Sequence, residues 1–171
     1  MQQDPITLER IETAHPEVRF ELSVIYAWIC EKVNSQYCQI RFTWVLRTLE
    51  EQTILYNRGR TTPGVKVTNA KAGESFHNYG LAVDICLLID RDKNGTFEEA
   101  SWDVTFDGNK DGIADWLEVV KIFNHYGWQW GIFNKKGRRY DLPHFQKSFG
   151  YKPFKLKQML KDINGYAIFC K

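Results

Sequence analysis

Four residues are of a type, and in an order, that supports metal-assisted chemistry: His77, Asp84, Asp141 and His144. Asp84 is the charged residue in an otherwise apolar run, Leu81 to Ile89, that follows the polar stretch Ser75-Phe76-His77-Asn78-Tyr79-Gly80. A run of that length between turn signals reads as a buried strand. A carboxylate inside one is costly unless it is paired or holds a metal. His77 lies seven residues earlier, and Gly80 permits a sharp turn that folds the His77 loop back toward Asp84. Two ligands make a weak site, so a third is needed. His144 supplies it from Asp141-Leu142-Pro143-His144-Phe145, a short strand-like piece that aims Asp141 and His144 into one cavity. Three protein ligands and an open position are the pattern of catalytic zinc, and a carboxylate beside the metal serves as general base toward water. The competing explanation is a capping or salt-bridged aspartate beside a hydrogen-bonded core histidine. His15, before a helix-starting proline, and His125, at a helix end before Gly127, are weaker ligands on position alone.

A second metal pattern lies between the two halves of the first. Asp107 to Glu118 fits the calcium loop D-x-[DN]-x-[DN]-G-x5-E at every constrained position. Oxygens would come from Asp107, Asn109, Asp111, the Ile113 carbonyl, Asp115 through water, and both oxygens of Glu118, with Gly112 making the turn. A strand rather than a helix precedes it, so the expectation is an EF-like loop and not a paired EF-hand. The alternative is an Asx-rich surface turn capping the next helix. Asp90-Arg91-Asp92-Lys93-Asn94-Gly95 opens the same way, but its twelfth position is Ser101, and it reads as a hairpin turn with at most weak cation binding.

The elements that must position these groups follow from periodicity. Residues 6–14 read as a short helix. Pro16 suits a new start, and Val18, Leu22, Ile25, Ile29 and Val33 put one apolar face on a helix over 16–34. Ile40, Phe42, Trp44 and Leu46 alternate with their neighbours as a strand over 39–46. Thr48 with Glu51 forms a capping box for a helix ending near Asn57. Residues 58–75, with Gly59, Pro63, Gly64 and Gly73, read as a long irregular loop, a common place for function. Thr96 to Val104 is expected to pair with strand 81–89. Residues 114–126 form a helix with Trp116, Leu117, Val120 and Phe123 on one side, 128–132 and 142–146 are short strands, and 154–163 close the chain as a helix. The mixture is α+β, in one domain over 1–171 with 90–118 as an inserted hairpin and loop.

Composition bounds the rest. With 171 residues, 43% hydrophobic and 15% aromatic, the chain is globular. A net charge of +2 gives no case for nucleic acid. The C-terminal third is more basic, including Lys135, Lys136, Arg138 and Arg139, which suits either an anionic polymer or a solvated face. Cys30, Cys38, Cys86 and Cys170 show no metal-ligand spacing, and no disulfide is expected. The start, Met1 to Pro5, has no signal-peptide pattern, and no apolar run reaches ~18 residues, so neither export by a leader nor a membrane span is expected.

Ser75 to Asp84 fits S-x-H-x-x-G-x-A-x-D, and Asp141 to His144 fits an acidic-x-x-His element. Together they resemble the zinc-dependent peptidoglycan peptidases of the D-alanyl-D-alanine carboxypeptidase (VanY-like) family. The stretch Gln52…Leu55-Tyr56…Gly59-Arg60-Thr61…Pro63-Gly64…Thr68-Asn69-Ala70-Lys71 resembles one branch, the L-alanyl-D-glutamate endopeptidases typical of phage endolysins. The resemblance covers roughly 40–150. It implies a Hedgehog/D-Ala-D-Ala peptidase-like fold, a small antiparallel sheet packed against helices. It implies zinc held by His77, Asp84 and His144, Asp141 as the base, and Arg47 binding an oxyanion or a substrate carboxylate. Ser75 would position the substrate or brace the ligand loop. Arg60 and Asn69 would contact the peptide, unless they only hydrogen-bond within the loop. After Trp130-Gly131 the family often continues Gly-Asp where this chain has Ile132-Phe133, which alters the groove. The implied activity is hydrolysis of peptidoglycan stem peptides at the L-Ala–D-Glu bond by a monomer that reaches the wall after release from the cytoplasm. The alternatives are D,D-carboxypeptidase trimming and a non-catalytic, calcium-stabilised wall-binding module.

Overall fold

A computed structural model of the chain describes residues 3–133, 136–137 and 139–169. Lys135, Arg138 and Cys170 lie outside the described residues. Helices α1 (Pro5–Glu12) and α2 (Pro16–Lys32) both open on a proline, whose missing N–H costs nothing in the first turn. Strand β1 (Cys38–Trp44) leads into α3 (Leu49–Asn57), which starts on the expected capping box of Thr48 and Glu51. The loop over 58–75 is irregular apart from turns and one bridge, Arg58 with Thr62. A single 3₁₀ turn (Phe76–Tyr79) then precedes β2 (Ala82–Ile89). Strand β3 (Glu99–Ser101), helix α4 (Asp115–His125), strands β4 (Gln129–Phe133) and β5 (Arg139–Gln146), and helix α5 (Pro153–Gln158) complete the order.

The fold is α+β. Among the described residues one antiparallel sheet runs β1-β2-β5-β4, and β3 also pairs with β2. Strand β5 pairs with the first residues of β2, Ala82 to Asp84, and β3 pairs with its last, Leu87 to Ile89. The early part of β2 is thus where the chain's two motifs meet.

Helix α2 buries Val18, Leu22, Ile25 and Ile29 at the predicted spacing. Helix α4 buries Trp116, Val119, Val120 and Phe123, but Leu117 is 42% exposed and does not join that face as predicted. The helix phase places i, i+3, i+4 and i+7 inward from Trp116, and the next residue points away. Strand β1 departs from strict alternation. Its pairing with β2 shifts between Phe42 and Trp44. Ile40 and Phe42 are buried as predicted, but the shift turns Val45 inward and leaves Trp44 and Leu46 half-buried. Helix α5 stops at Gln158 rather than 163, and Lys161 instead pairs with Ala167 as an isolated bridge.

Helix α1 is tied to β1 by a buried polar network. Asp4 caps α1 by accepting from Thr7 N, and Thr7 Oγ1 in turn accepts from Phe42 N of β1 at 3.0 Å. Arg41 donates twice to the Asp4 carboxylate, at 2.7 and 3.1 Å. Burial alone would raise the Asp4 carboxyl, but the bonds from Arg41 and Thr7 outweigh it and hold the group below its ordinary value. Cys30, Cys38 and Cys86 are buried and unbridged.

Candidate active site

The site is built where β2, β5 and the 3₁₀ turn converge. Asp84 of β2 stands directly across from His144 of β5. His77 comes from the 3₁₀ turn, which reaches back because Gly80 closes it in the left-handed region, at φ 66°. A Cβ on Gly80 would lie 2.6 Å from His15 N, so only glycine fits there. The turn is locked by Asn78, whose Oδ1 accepts from Gly73 N and whose Nδ2 donates to Arg47 O. Ser75 Oγ accepts from His77 N, so the serine braces the turn that carries the histidine.

Three atoms converge. His77 Nε2 lies 3.1 Å from Asp84 Oδ1, His144 Nδ1 lies 3.1 Å from the same oxygen, and the two nitrogens are 3.2 Å apart. The two histidines are almost wholly buried. These near-equal edges fit a tetrahedral zinc: bonds of about 2.0–2.1 Å imply ligand separations of about 3.3–3.4 Å. A borderline-soft ion with two imidazoles and one carboxylate is also the donor chemistry zinc takes at catalytic sites. Burial would raise the Asp84 carboxyl, but the two imidazoles reverse this and hold it well below the carboxylate range. Burial works against charge on His144, and its bond with Asp84 more than offsets this, raising its value.

Asp141 and Arg47 flank the triangle. The β4–β5 pairing runs Ile132 with Tyr140 and then Trp130 with Phe145, so residues 141–144 bulge opposite Gly131. Asp141 sits in this bulge with φ at 57°, a conformation aspartate tolerates better than most residues. It lines the same cleft as the three ligands. Loss of hydration pushes its carboxyl up, and the neighbouring Asp84 carboxylate adds to the effect. Arg47 Nη2 is 3.7 Å from Asp84 Oδ2, and its guanidinium packs on the Trp44 ring, 5.2 Å from the centroid. Its Nη1 donates to Gln52 Oε1, and fully buried Gln52 donates to Ala70 O. Arg47 is thereby linked to the 58–75 loop.

The cleft holds about 450 Å³. Its floor is His77, Asp84 and His144, and its walls include Val67, Thr68 and Ala70 of the long loop, with Ser75, Ile132 and Tyr140. Ile132, which follows Trp130-Gly131, therefore borders the groove. Arg60 and Asn69 pair with each other through Arg60 Nη2 and Asn69 Oδ1 at 3.1 Å, and Arg60 Nη1 also donates to Tyr56 O. Arg60 does not line this cleft, while Asn69 borders a smaller hollow beside Asp141. His15 is occupied elsewhere, its Nε2 2.8 Å from Ala167 O, and His125 stacks on Trp28.

Sequence reasoning left three side chains without a role: Gln52, Trp44 and Gln146, whose Oε1 is 3.0 Å from His144 Nε2. The signal for Gln146 is its place two residues beyond His144, on the same face of one strand.

The 107–118 loop carries the Asx turns its sequence suggests. Asp107 Oδ2 accepts from Gly112 N, Asn109 Oδ1 from Asp111 N, and Asp111 Oδ1 from Ile113 N. Glu118 accepts from Asn109 Nδ2, and fully buried Asp115 accepts from Gly108 N. Its acidic groups do not converge as a metal cluster. Among the described residues the clusters that do are His77, Asp84 and His144, and a second one of Asp90, Asp92 and Glu98 in the β2–β3 turn. That turn is held by Asp90, which accepts from Asn94 N and Gly95 N.

Residues 68–147 match the family model described as D-alanyl-D-alanine carboxypeptidase, a span that contains both motifs and all three convergent ligands. The match thus takes in the three convergent ligands and Asp141, while Arg47 and Gln52 lie before its first residue. Over 100 residues the chain is 45% identical to the peptidoglycan L-alanyl-D-glutamate endopeptidase CwlK of Bacillus subtilis (strain 168), which covers 58% of this chain and 55% of that protein. The chain thus spans about half the length of this curated relative. The crystal structure of the Serratia marcescens L-Ala D-Glu endopeptidase ChiX superposes with a TM-score of 0.47 at 18% identity, covering 85% of this chain and 88% of that one.

Proposed function

We propose that the protein is a zinc peptidase that hydrolyses peptidoglycan stem peptides at the L-Ala–D-Glu bond. The observation that carries this is the His77–Asp84–His144 triangle, with its 3.1–3.2 Å edges on the floor of the cleft. It is supported by the relative at 45% identity that bears this activity in its name.

His77 would hold zinc through Nε2, Asp84 through Oδ1 and His144 through Nδ1. When bound, zinc polarises the scissile carbonyl and lowers the pKa of water toward ~7. Asp141 accepts the proton at its carboxylate as water attacks, and passes it to the leaving amine nitrogen. Its raised pKa suits a group that must take and then release a proton. Arg47, held by Trp44 and Gln52, presents its guanidinium to the negative oxygen that develops or to a substrate carboxylate. Ser75 keeps the His77 turn closed beside the substrate. Val67, Thr68 and Ala70 give the cleft a wall for the peptide, and Arg60 with Asn69 stiffens that wall from behind.

The second reading, a D,D-carboxypeptidase trimming terminal D-Ala, is favoured by the description of the matched family. The long loop over 58–75 and the relative's name favour the endopeptidase. Further parts of the proposal are one domain over 1–171, a monomer, and action on the wall after release. No described helix is long and apolar enough to cross a membrane. Calcium binding at 107–118 is also proposed, supported by the Asx turns and the sequence pattern alone. The test of the whole is loss of turbidity of purified cell walls. It is expected with the intact protein and not with His77→Ala. Equal lysis by His77→Ala refutes the metal site.

A further inference from the structure

We infer that Gln146 is a positioning residue for the metal centre, holding the His144 imidazole in the tautomer that presents Nδ1 to the ion. The inference rests on the zinc reading above. Gln146 Oε1 lies 3.0 Å from His144 Nε2. An amide oxygen only accepts, so Nε2 carries the proton. When the ion takes the place of the proton shared with Asp84, the lone pair it meets is on Nδ1, the atom that faces Asp84 Oδ1 and His77 Nε2.

His77 is fixed in the opposite sense. Its Nδ1 is 2.8 Å from Val45 O, which also only accepts, so Nδ1 carries the proton and Nε2 faces the triangle. The two histidines meet at one point through different ring nitrogens because each has an acceptor behind it. For His77 the acceptor is backbone, delivered by the strand irregularity that turns Val45 inward. For His144 it is a side chain, and so it can be removed by substitution.

The strand register explains why Gln146 can reach. His144 and Gln146 are two apart on β5 and share a face. Their partners on β2 are Asp84 and Ala82. Gln146 thus stands across from the small residue Ala82, beside the His144 imidazole. His144 is 4% exposed, so solvent replaces a lost acceptor poorly. Acceptors behind metal-bound histidines typically change affinity 10–100-fold when removed.

The test uses the full chain and measures zinc affinity by competition with a chromophoric chelator, together with the visible ligand-field spectrum of the cobalt-loaded protein. Gln146→Met, close in size but without an acceptor, is expected to weaken zinc about 10–100-fold and to shift the cobalt bands. Gln146→Glu, which restores an acceptor, is expected to recover the affinity and the bands. Melting of the metal-free proteins separates this from unfolding, and Gln146→Leu serves if the Met variant does not fold. Wild-type affinity and bands in the folded variant without an acceptor overturn the inference. Failure of the unsubstituted protein to bind zinc overturns the zinc reading itself, and is seen before any substitution is made.

Discussion

Asp84 and His144 form one cross-strand pair of β2 and β5, and Asp84 Oδ1 lies 3.1 Å from His144 Nδ1. Two of the three convergent groups are therefore fixed by sheet register, not by loop geometry. Phe145, the next residue of β5, is fully buried and stacks on Phe123 of α4, with ring centroids 4.3 Å apart. The core holds one face of the strand while the other presents His144. A rigid frame of this kind suits a metal that tolerates little displacement of its ligands.

Metal should stabilise this frame. Zinc at a hundredfold excess over its Kd is expected to add about 2.7 kcal/mol to unfolding free energy. Calorimetry with and without a zinc-selective chelator that spares calcium checks this. His144→Ala should melt at the same temperature in both conditions.

Asp141 is not one of the three convergent atoms, so its role separates from metal binding. Asp141→Asn is expected to lower kcat by about 10²–10⁴-fold. Its zinc content, measured by atomic absorption, should stay equal to that of the unsubstituted protein. Undiminished turnover removes Asp141 from the mechanism.

The Asp4–Arg41 pair predicts a specific pH dependence. The folded Asp4 carboxyl is held below its ordinary value. Its contribution is therefore present above the unfolded value, and is lost as pH falls through the folded one. Asp4→Asn should cost about 1.5–3 kcal/mol at neutral pH, the scale of a charge-assisted hydrogen bond. It should cost progressively less toward acid. Urea denaturation at neutral and acidic pH measures the difference.

Gly80 and Gly127 both have positive φ, at 66° and 77°, but only Gly80 faces backbone where a Cβ would stand. Gly127→Ala should cost about 1–2 kcal/mol from conformation alone. Gly80→Ala should cost more and weaken zinc binding as well, since it displaces the turn that carries His77. Equal melting temperatures of the two variants contradict the steric argument.

Much of this was legible in the chain. The two motifs named His77, Asp84, Asp141 and His144, and the structure brings all four to one cleft, because β2 and β5 are neighbours and the 3₁₀ turn that carries His77 leads directly into β2. The Thr48–Glu51 capping box and the proline-led helix α2 are local features, encoded within a few residues. What escaped depends on contacts distant in sequence. The pairing shift near Thr43 belongs to the register of β1 with β2, so strand period alone misassigned Trp44 and Val45. The roles of Gln52 and Gln146 rest on partners, Ala70 and His144, that only the folded chain supplies. The acids of the two loops are also arranged differently from what their patterns suggest: Asp90, Asp92 and Glu98 converge, in the loop whose twelfth position lacks an acid, while those of 107–118 are taken up in Asx turns and caps. Pattern matching counts positions, whereas convergence depends on where Asp115 turns, and it turns to Gly108 N.

The most direct measurement is mass spectrometry of muropeptides after digestion of purified peptidoglycan by the zinc-loaded protein. Stem peptides with a new amino-terminal D-Glu, absent when Asp141 is replaced by Asn, are the predicted result. Loss of terminal D-Ala alone, or intact stems, would contradict the proposed L-Ala–D-Glu endopeptidase.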